Sequence, residues 1–449
     1  MKKKFKYPLF FLAVFLKAAT AAYGQHGTDP APSFTLADCI SYALKHQPNV
    51  NQSKINIAVA RTTNKINLSG WLPQVNLSGN LIHYNTLPTT FISDSLGGAP
   101  RTSHTGVVNT FIPEASATET IFNPQLLYAA KSAHLYIDQA KQISDSTQIY
   151  IVANLSKSFY NLLLTLEQIN VLKEDTARLN RNVMDTYHQF EGGIVDETDY
   201  DEAVITLNNS LAQLRQQVEN VTPQYSVVKQ LMGYPPEQQF NVSFDTLQMM
   251  QDIVFDTGRV LDYEKRIEFQ QIQTAKKLQH QLTNYYGAAF LPTVSAFYNY
   301  YYEYENNTTA DLFSNAYPYS YGGLSFNIPI FTGFSRVENV HKSRLQEQIV
   351  DWAEVNLKSQ MYTEYTSAMA NYKANLYNWG ILKDNVNRAK NVYRIVSLQY
   401  KQGIVAYLNM IVAESNLIAA ETGYTNALFQ LLSSKVDLEK ALGDIPYNQ

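Results

Sequence analysis

Ser226 and Lys229 stand three residues apart, the spacing at which a lysine amine can take the proton of a serine nucleophile. No SDN or KTG companion occurs in the sequence, and the pair falls in a stretch with helical periodicity, so it reads as a helix surface. The eight histidines form no HExxH or HxxxH pair, and there is no P-loop or GxGxxG. Cys39 is the single cysteine; it can form neither an internal disulfide nor a thiolate cluster and reads as a structural thiol. No catalytic residue, cofactor or metal is expected.

The remaining candidates are glycines and acids at two matching places. QFEGGIVDETDYDEA, residues 189–203, sets Gly192 and Gly193 inside an otherwise helical stretch, followed by Asp199 and Glu202 at a D-x-x-E spacing that suits a helix start. QYKQGIVAYLNMIVA, residues 399–413, repeats the Gly-Ile-Val core, with Gly403 answering to Gly193 at an offset of 210. Glycine relieves the steric cost of a reversing turn between antiparallel helices. The chemistry expected here is chain reversal and surface recognition.

The elements that must carry these turns also occur twice. WLPQVNLSGN (71–80) matches FLPTVSAFYN (290–299), TETIFNPQ (118–125) matches NIPIFTGF (327–334), and KQLMGYPP (229–236) matches EKALGDIP (439–446). The offset is 219 for the first match and 209 or 210 for the others, so the chain reads as a tandem duplication with an insertion of some ten residues in a loop of the first copy. Residues 1–24 read as a signal peptide, 25–240 as the first repeat with a β-hairpin at 73–122, and 241–449 as the second with a β-hairpin at 291–331. The two repeats are expected to form one intertwined domain.

Each hairpin alternates with period two: Val75, Leu77, Gly79 and Leu81 against Asn76, Ser78 and Asn80, then Leu324, Phe326 and Ile328 against Ser325 and Asn327. After each hairpin the period becomes about 3.6. Proline is absent between Pro124 and Pro223 and between Pro329 and Pro446. A helix of about 68 residues from each Ile-Phe to each glycine break would be roughly 100 Å long. The stretches after the breaks, and those before the hairpins at about 34–70 and 258–288, are each about half that length. Two half-length helices stacked end to end match one long helix, with the glycine break at the tip opposite the β-hairpin.

MKKKFKYPLFFLAVFLKAATAAYGQ has the basic start, the short apolar run and the small residues of a secretory signal, with cleavage before Gln25. The net charge of −4 argues against nucleic acid as a partner. Beyond the signal no apolar run is long enough to span a bilayer as a helix, so any crossing must be a β-barrel. Four strands cannot close a barrel, and an open edge in lipid leaves costly unpaired backbone groups. Two chains would give a filled interior, whereas a cyclic trimer of 12 strands leaves a lumen. The alternative is a non-transporting coiled-coil rod of the envelope, which would not need alternating strands.

The paired LP-x-V strand starts, IF-x-[P/G] junctions, G-I-V tips and [M/L]-G helix ends resemble the TolC family of outer-membrane efflux channels over nearly the whole mature chain. The resemblance implies a mainly α-helical homotrimer with a 12-stranded β-barrel in outer-membrane lipid of a Gram-negative bacterium and an α-helical barrel in the periplasm. It implies a passive conduit for efflux or type I secretion. The tip turns at Gly192, Gly193, Asp199 and Gly403 would meet a periplasmic adaptor (membrane fusion protein), with an inner-membrane pump of RND or ABC type beyond. In the best-known relatives the closed tip carries pore-facing aspartates in the second copy, and a tyrosine and an arginine tie neighbouring helices. Here the tyrosine is Tyr400, the arginine's place is Val405, and the acidic places are Asn409 and Val412. A neutral to apolar constriction packed from Ile404, Val405 and Val412 is expected.

Overall fold

The computed structural model describes residues 32–92, 101–243, 253 and 255–447; the signal-like segment lies outside the described residues. The chain begins with β1 (Ser33–Phe34), α1 (Leu36–His46) and α2 (Pro48–Leu68). Thr35 and Asp38 cap α1 reciprocally: Asp38 N–H donates to Thr35 Oγ1 at 3.2 Å and Thr35 N–H to Asp38 Oδ2 at 3.0 Å. The stretch expected as a single helix is divided at Gln47, which has ψ of 127°. The ring of Pro48 disfavours helical backbone at the residue before it, and Gln47 instead caps α2 by accepting from Val50 N–H at 2.9 Å.

Four strands follow in the first repeat: β2 (Gln74–His83), β3 (Thr89–Ile92), β4 (Arg101–His104) and β5 (Asn109–Phe122). The loop that carries the insertion holds two further strands: β3 and β4 pair antiparallel within it, with Thr89 opposite His104. Residues 93–100 between them lie outside the described residues. Next come α3 (Pro124–Glu191), α4 (Glu197–Met232), β6 (Asn241–Val242), α5 (Ile267–Ala288), β7 (Thr293–Asn306), β8 (Ala316–Asn327), α6 (Ser335–Lys401) and α7 (Tyr407–Leu442). At 68 and 67 residues, α3 and α6 are about 100 Å long; α4 and α7, at 36 residues each, run about 54 Å.

The second-repeat counterpart of α2 is shorter than expected, beginning at Ile267 rather than near 258. Aspartate side chains turn the preceding chain: Gly258 N–H donates to Asp256 Oδ1 at 2.9 Å and Glu264 N–H to Asp262 Oδ1 at 3.1 Å. Arg266 then fixes the entry to α5. Its buried guanidinium donates to Glu364 at 2.7 Å, Glu268 at 3.0 Å and the Ala441 carbonyl at 2.9 Å, tying α5 to α6 and α7.

β2, β5, β7 and β8 form one antiparallel sheet in that order. The register aligns Leu77, Ala115, Tyr300 and Ser320 across it, and Ser78, Glu114, Tyr301 and Tyr319 one residue on. Alternation therefore sorts Val75, Leu77, Leu81, Tyr298, Leu324 and Phe326 to one face, and Asn76, Ser78, Glu114, Asn299, Tyr301 and Glu303 to the other. Val75 and Leu77 of the apolar face are 73% and 81% exposed. On the polar face Tyr301 donates to Glu114 at 2.7 Å. Among the described residues β2 and β8 each have a partner on one side only.

The long helix α3 carries α2 and α5 along the half nearest the sheet and α4 and α7 along the far half, while α6 packs on α5 and α7. The core sits at mid-height, where the half-length helices meet. Leu155, Phe159 and Leu162 of α3 pack there with Cys39, Val228 and Met232. Alongside, Tyr372 of α6 packs with Ile253, Leu431 and Leu438. Tyr372 donates to the Ile253 carbonyl at 2.6 Å and accepts from Phe255 N–H at 3.1 Å, which pins the inter-repeat segment to the helices. Burial pushes the Cys39 thiol up to about 12, as suits an inert packing residue.

Candidate functional site at the helical tip

Both tip turns have one geometry. At the end of α3, Gly192 caps the helix and Gly193 adopts φ of +69°; Gly193 N–H donates to the Phe190 carbonyl at 2.9 Å and Ile194 N–H to Gln189 at 2.8 Å. At the end of α6, Gly403 has φ of +72°, with Gly403 N–H to Tyr400 at 2.8 Å and Ile404 N–H to Gln399 at 2.9 Å. This is the six-to-one, five-to-two closure of a glycine-terminated helix. Of the adjacent glycines, only Gly193 needs the left-handed region; Gly192 has φ of −77°.

The helices restart three residues later, and the cap differs from the one expected. Asp196, not Asp199, is the N-cap of α4, and it makes no side-chain capping bond; Asp199 N–H donates to the Asp196 carbonyl at 3.1 Å. Asp199 is half-buried in the first turn of α4, where a carboxylate favours the positive end of the helix dipole. Glu202 is exposed one turn further on.

Ile194 and Ile404, the residues after the turn glycines, are 76% and 64% exposed. Asn409 and Val412 are also exposed and Val405 is half-buried, so the described chain leaves this apolar surface largely uncovered. Tyr400 points the other way. Its hydroxyl donates to Gln189 Oε1 of α3 at 2.6 Å, its ring packs 5.3 Å from Tyr407, and burial raises its pKa. Tyr407, Ala203 and Met410 form a small buried cluster beneath the turns, with Val183, Val396 and Tyr400 against it.

Sequence reading missed Tyr407, Gln189 and an aromatic group made by Tyr187, Phe190 and Tyr200, with centroids 5.5 and 6.4 Å from Tyr200. The i, i+3 spacing of Tyr187 and Phe190 signals one helix face, but its meeting with Tyr200 depends on the reversal. Further along the seam, first-repeat α3 and second-repeat α7 are joined by Lys157 with Asp437, Gln168 with Asn426 at 2.8 Å, and Arg178 and Asn182 with Glu414 at 2.9 and 2.8 Å. Ser226 and Lys229 are separately engaged: Ser226 Oγ donates to the Thr222 carbonyl at 3.0 Å and Lys229 Nζ to that of Pro236 at 2.9 Å.

The sequence matches the family described as outer membrane efflux protein over residues 39–233 and again over 267–444. The chain belongs to that family. It is an outer-membrane protein with a helical part in the periplasm. It is 21% identical over 437 residues to the antibiotic efflux pump outer membrane protein ArpC of Pseudomonas putida, covering 96% of this chain and 87% of the relative. The Campylobacter jejuni CmeC outer membrane channel superposes with a TM-score of 0.75 at 18% identity, covering 92% of this chain and 87% of that one. Vibrio cholerae VceC gives a TM-score of 0.72 at 15% identity, covering 91% and 96%. At these identities the two structures establish the fold: long helices continuing from a four-stranded contribution to a β-barrel.

Proposed function

We propose that three copies of this chain close into a passive conduit from periplasm to exterior within a tripartite efflux or secretion system. The observation that carries the reading is the sheet. It has one strongly apolar exposed face, one polar face and two unpaired edges, β2 and β8. Pairing β2 of one copy with β8 of the next satisfies both edges, turns the apolar face to lipid and encloses the polar face. A rod-like envelope protein would have no use for an exposed apolar sheet face.

In this reading the chain performs no catalysis, and work is supplied by an inner-membrane pump of RND or ABC type. The tip turns at Gly192, Gly193, Asp199 and Gly403 dock a periplasmic adaptor, to which Ile194 and Ile404 offer exposed apolar knobs. Tyr400, Ile404, Val405, Asn409 and Val412 surround the constriction. The test is a cysteine pair placed on the facing edges, Asn76→Cys in β2 and Ser325→Cys in β8. Trimeric species on oxidation in membranes, collapsing to monomer on reduction and heating, are expected. Cross-linking that never passes beyond the monomer would overturn the assembly.

A further inference from the structure

Few charges in the helical part are as dry as Asp175 and Glu414, which share the half-buried Arg178. Asp175 is 0% and Glu414 1% exposed, although one lies on α3 and the other on α7, from opposite repeats. Arg178 Nε donates to Glu414 Oε1 at 2.9 Å, and another guanidinium nitrogen of Arg178 pairs with Asp175 Oδ1. Asn182 donates to Glu414 Oε2 at 2.8 Å. Asp175 Oδ2 is buried without a hydrogen-bond partner. From the α6 side the Tyr393 ring lies 5.2 Å from the Arg178 guanidinium carbon.

We propose that Asp175, Arg178 and Glu414 form a proton-operated lock between α3 and α7, tightened by taking up one proton and loosened by losing it. Two almost fully buried carboxylates share one guanidinium, and that arrangement leaves an uncompensated negative charge when both are ionised. A proton on the orphaned Asp175 oxygen removes the excess charge while keeping the Arg178–Glu414 link. Among the described residues the surroundings do not supply a second free cation. Glu174 on α3 and Glu421 on α7 add negative charge, Lys390 of α6 is engaged with Glu421 at 3.1 Å, and the remaining titratable neighbours are Tyr393 and Tyr407.

Burial raises the pKa of both Asp175 and Glu414 above the ordinary carboxylate values. The folded joint therefore holds a proton more tightly than the separated helices do. Its stability is greatest on the acid side and falls as pH rises from the unfolded towards the folded pKa values. The lock stands about 20 Å along α3 from its end at Glu191 and about 10 Å along α7 from its start at Tyr407. It therefore controls whether the start of α7, and the constriction residues on it, can swing away from α3. This consequence rests on the channel reading; the lock itself does not.

Hydrogen exchange of the full-length protein in detergent, corrected for intrinsic rates, tests it. Wild-type protection in residues 407–420 should rise as pH falls from about 7.5 towards the ordinary carboxylate range, by at most about tenfold per pH unit for one linked proton. Asp175→Asn should be as protected at neutral pH as wild type is in acid, with the pH dependence gone; Glu414→Gln should flatten it as well. Pairwise identical pH profiles for wild type and both variants would overturn the proposal. Conductance of the same preparations in planar bilayers separates the two readings. A wild type that never conducts refutes the channel, while conduction with unchanged exchange profiles refutes only the lock.

Discussion

The glycines at three helix ends offer a graded test of what each position demands. An alanine at Gly193 or Gly403 would meet no atom within 4 Å, so its cost is confined to the left-handed backbone, φ of +69° or +72°. That strain is about 1–2 kcal/mol, partly offset by about 0.4–1 kcal/mol from a stiffer unfolded chain, leaving a net loss of about 1 kcal/mol. Gly192→Ala needs no such conformation and should change stability by no more than about 0.5 kcal/mol. At Gly233, with φ of +70°, a Cβ would lie 2.8 Å from both Gln47 Cα and the His46 carbonyl. That backbone cannot step aside cheaply, so about 1–3 kcal/mol of overpacking is added to the strain. Thermal unfolding in detergent, with exchange protection of the flanking helices, should rank wild type and Gly192→Ala together, then Gly193→Ala and Gly403→Ala, then Gly233→Ala. Gly193→Asn should recover part of the loss, since asparagine tolerates the left-handed region. The reasoning fails if Gly193→Ala is as damaging as Gly233→Ala, or if Gly192→Ala is as damaging as Gly193→Ala.

Gly403→Pro, whose ring cannot reach φ of +72° and which removes the bond to the Tyr400 carbonyl, should abolish export while leaving the trimer assembled; equal loss of trimer would mean that the turn serves folding rather than docking. Trivalent cations added on the periplasmic side should block conductance only weakly if the proposed constriction is right, because Asn409 and Val412, the second-repeat residues assigned to it, carry no charge. Tight block that disappears in Asp199→Ala would instead place the first-repeat acids in the pore.

The sequence by itself determined the kind of element for the main sheet strands, the long helices and the tip turns. Alternation of period two can be satisfied by a half-exposed strand, and a proline-free run of period 3.6 by a helix; both are local properties, so the sheet and the long helices were legible together with the glycine turns. Two of the details that it blurred were also nearly local. The break at Gln47 follows from Pro48, and the cap at Asp196 from the turn ending three residues earlier than the D-x-x-E spacing suggested. Only the tertiary structure decided which polar and charged residues of each helix are dry. Asp175 and Arg178 look like an ordinary i, i+3 surface pair until α7, more than 230 residues later, brings Glu414 against them. The resemblance marks Tyr400 as a tie between helices, but its partner, Gln189 of the other repeat, emerges only in the tertiary structure. A helical pattern states how residues are spaced around an axis. The neighbour chosen for each face depends on packing among α3, α6 and α7, and that neighbour decides whether a carboxylate is solvated, paired or left to bind a proton.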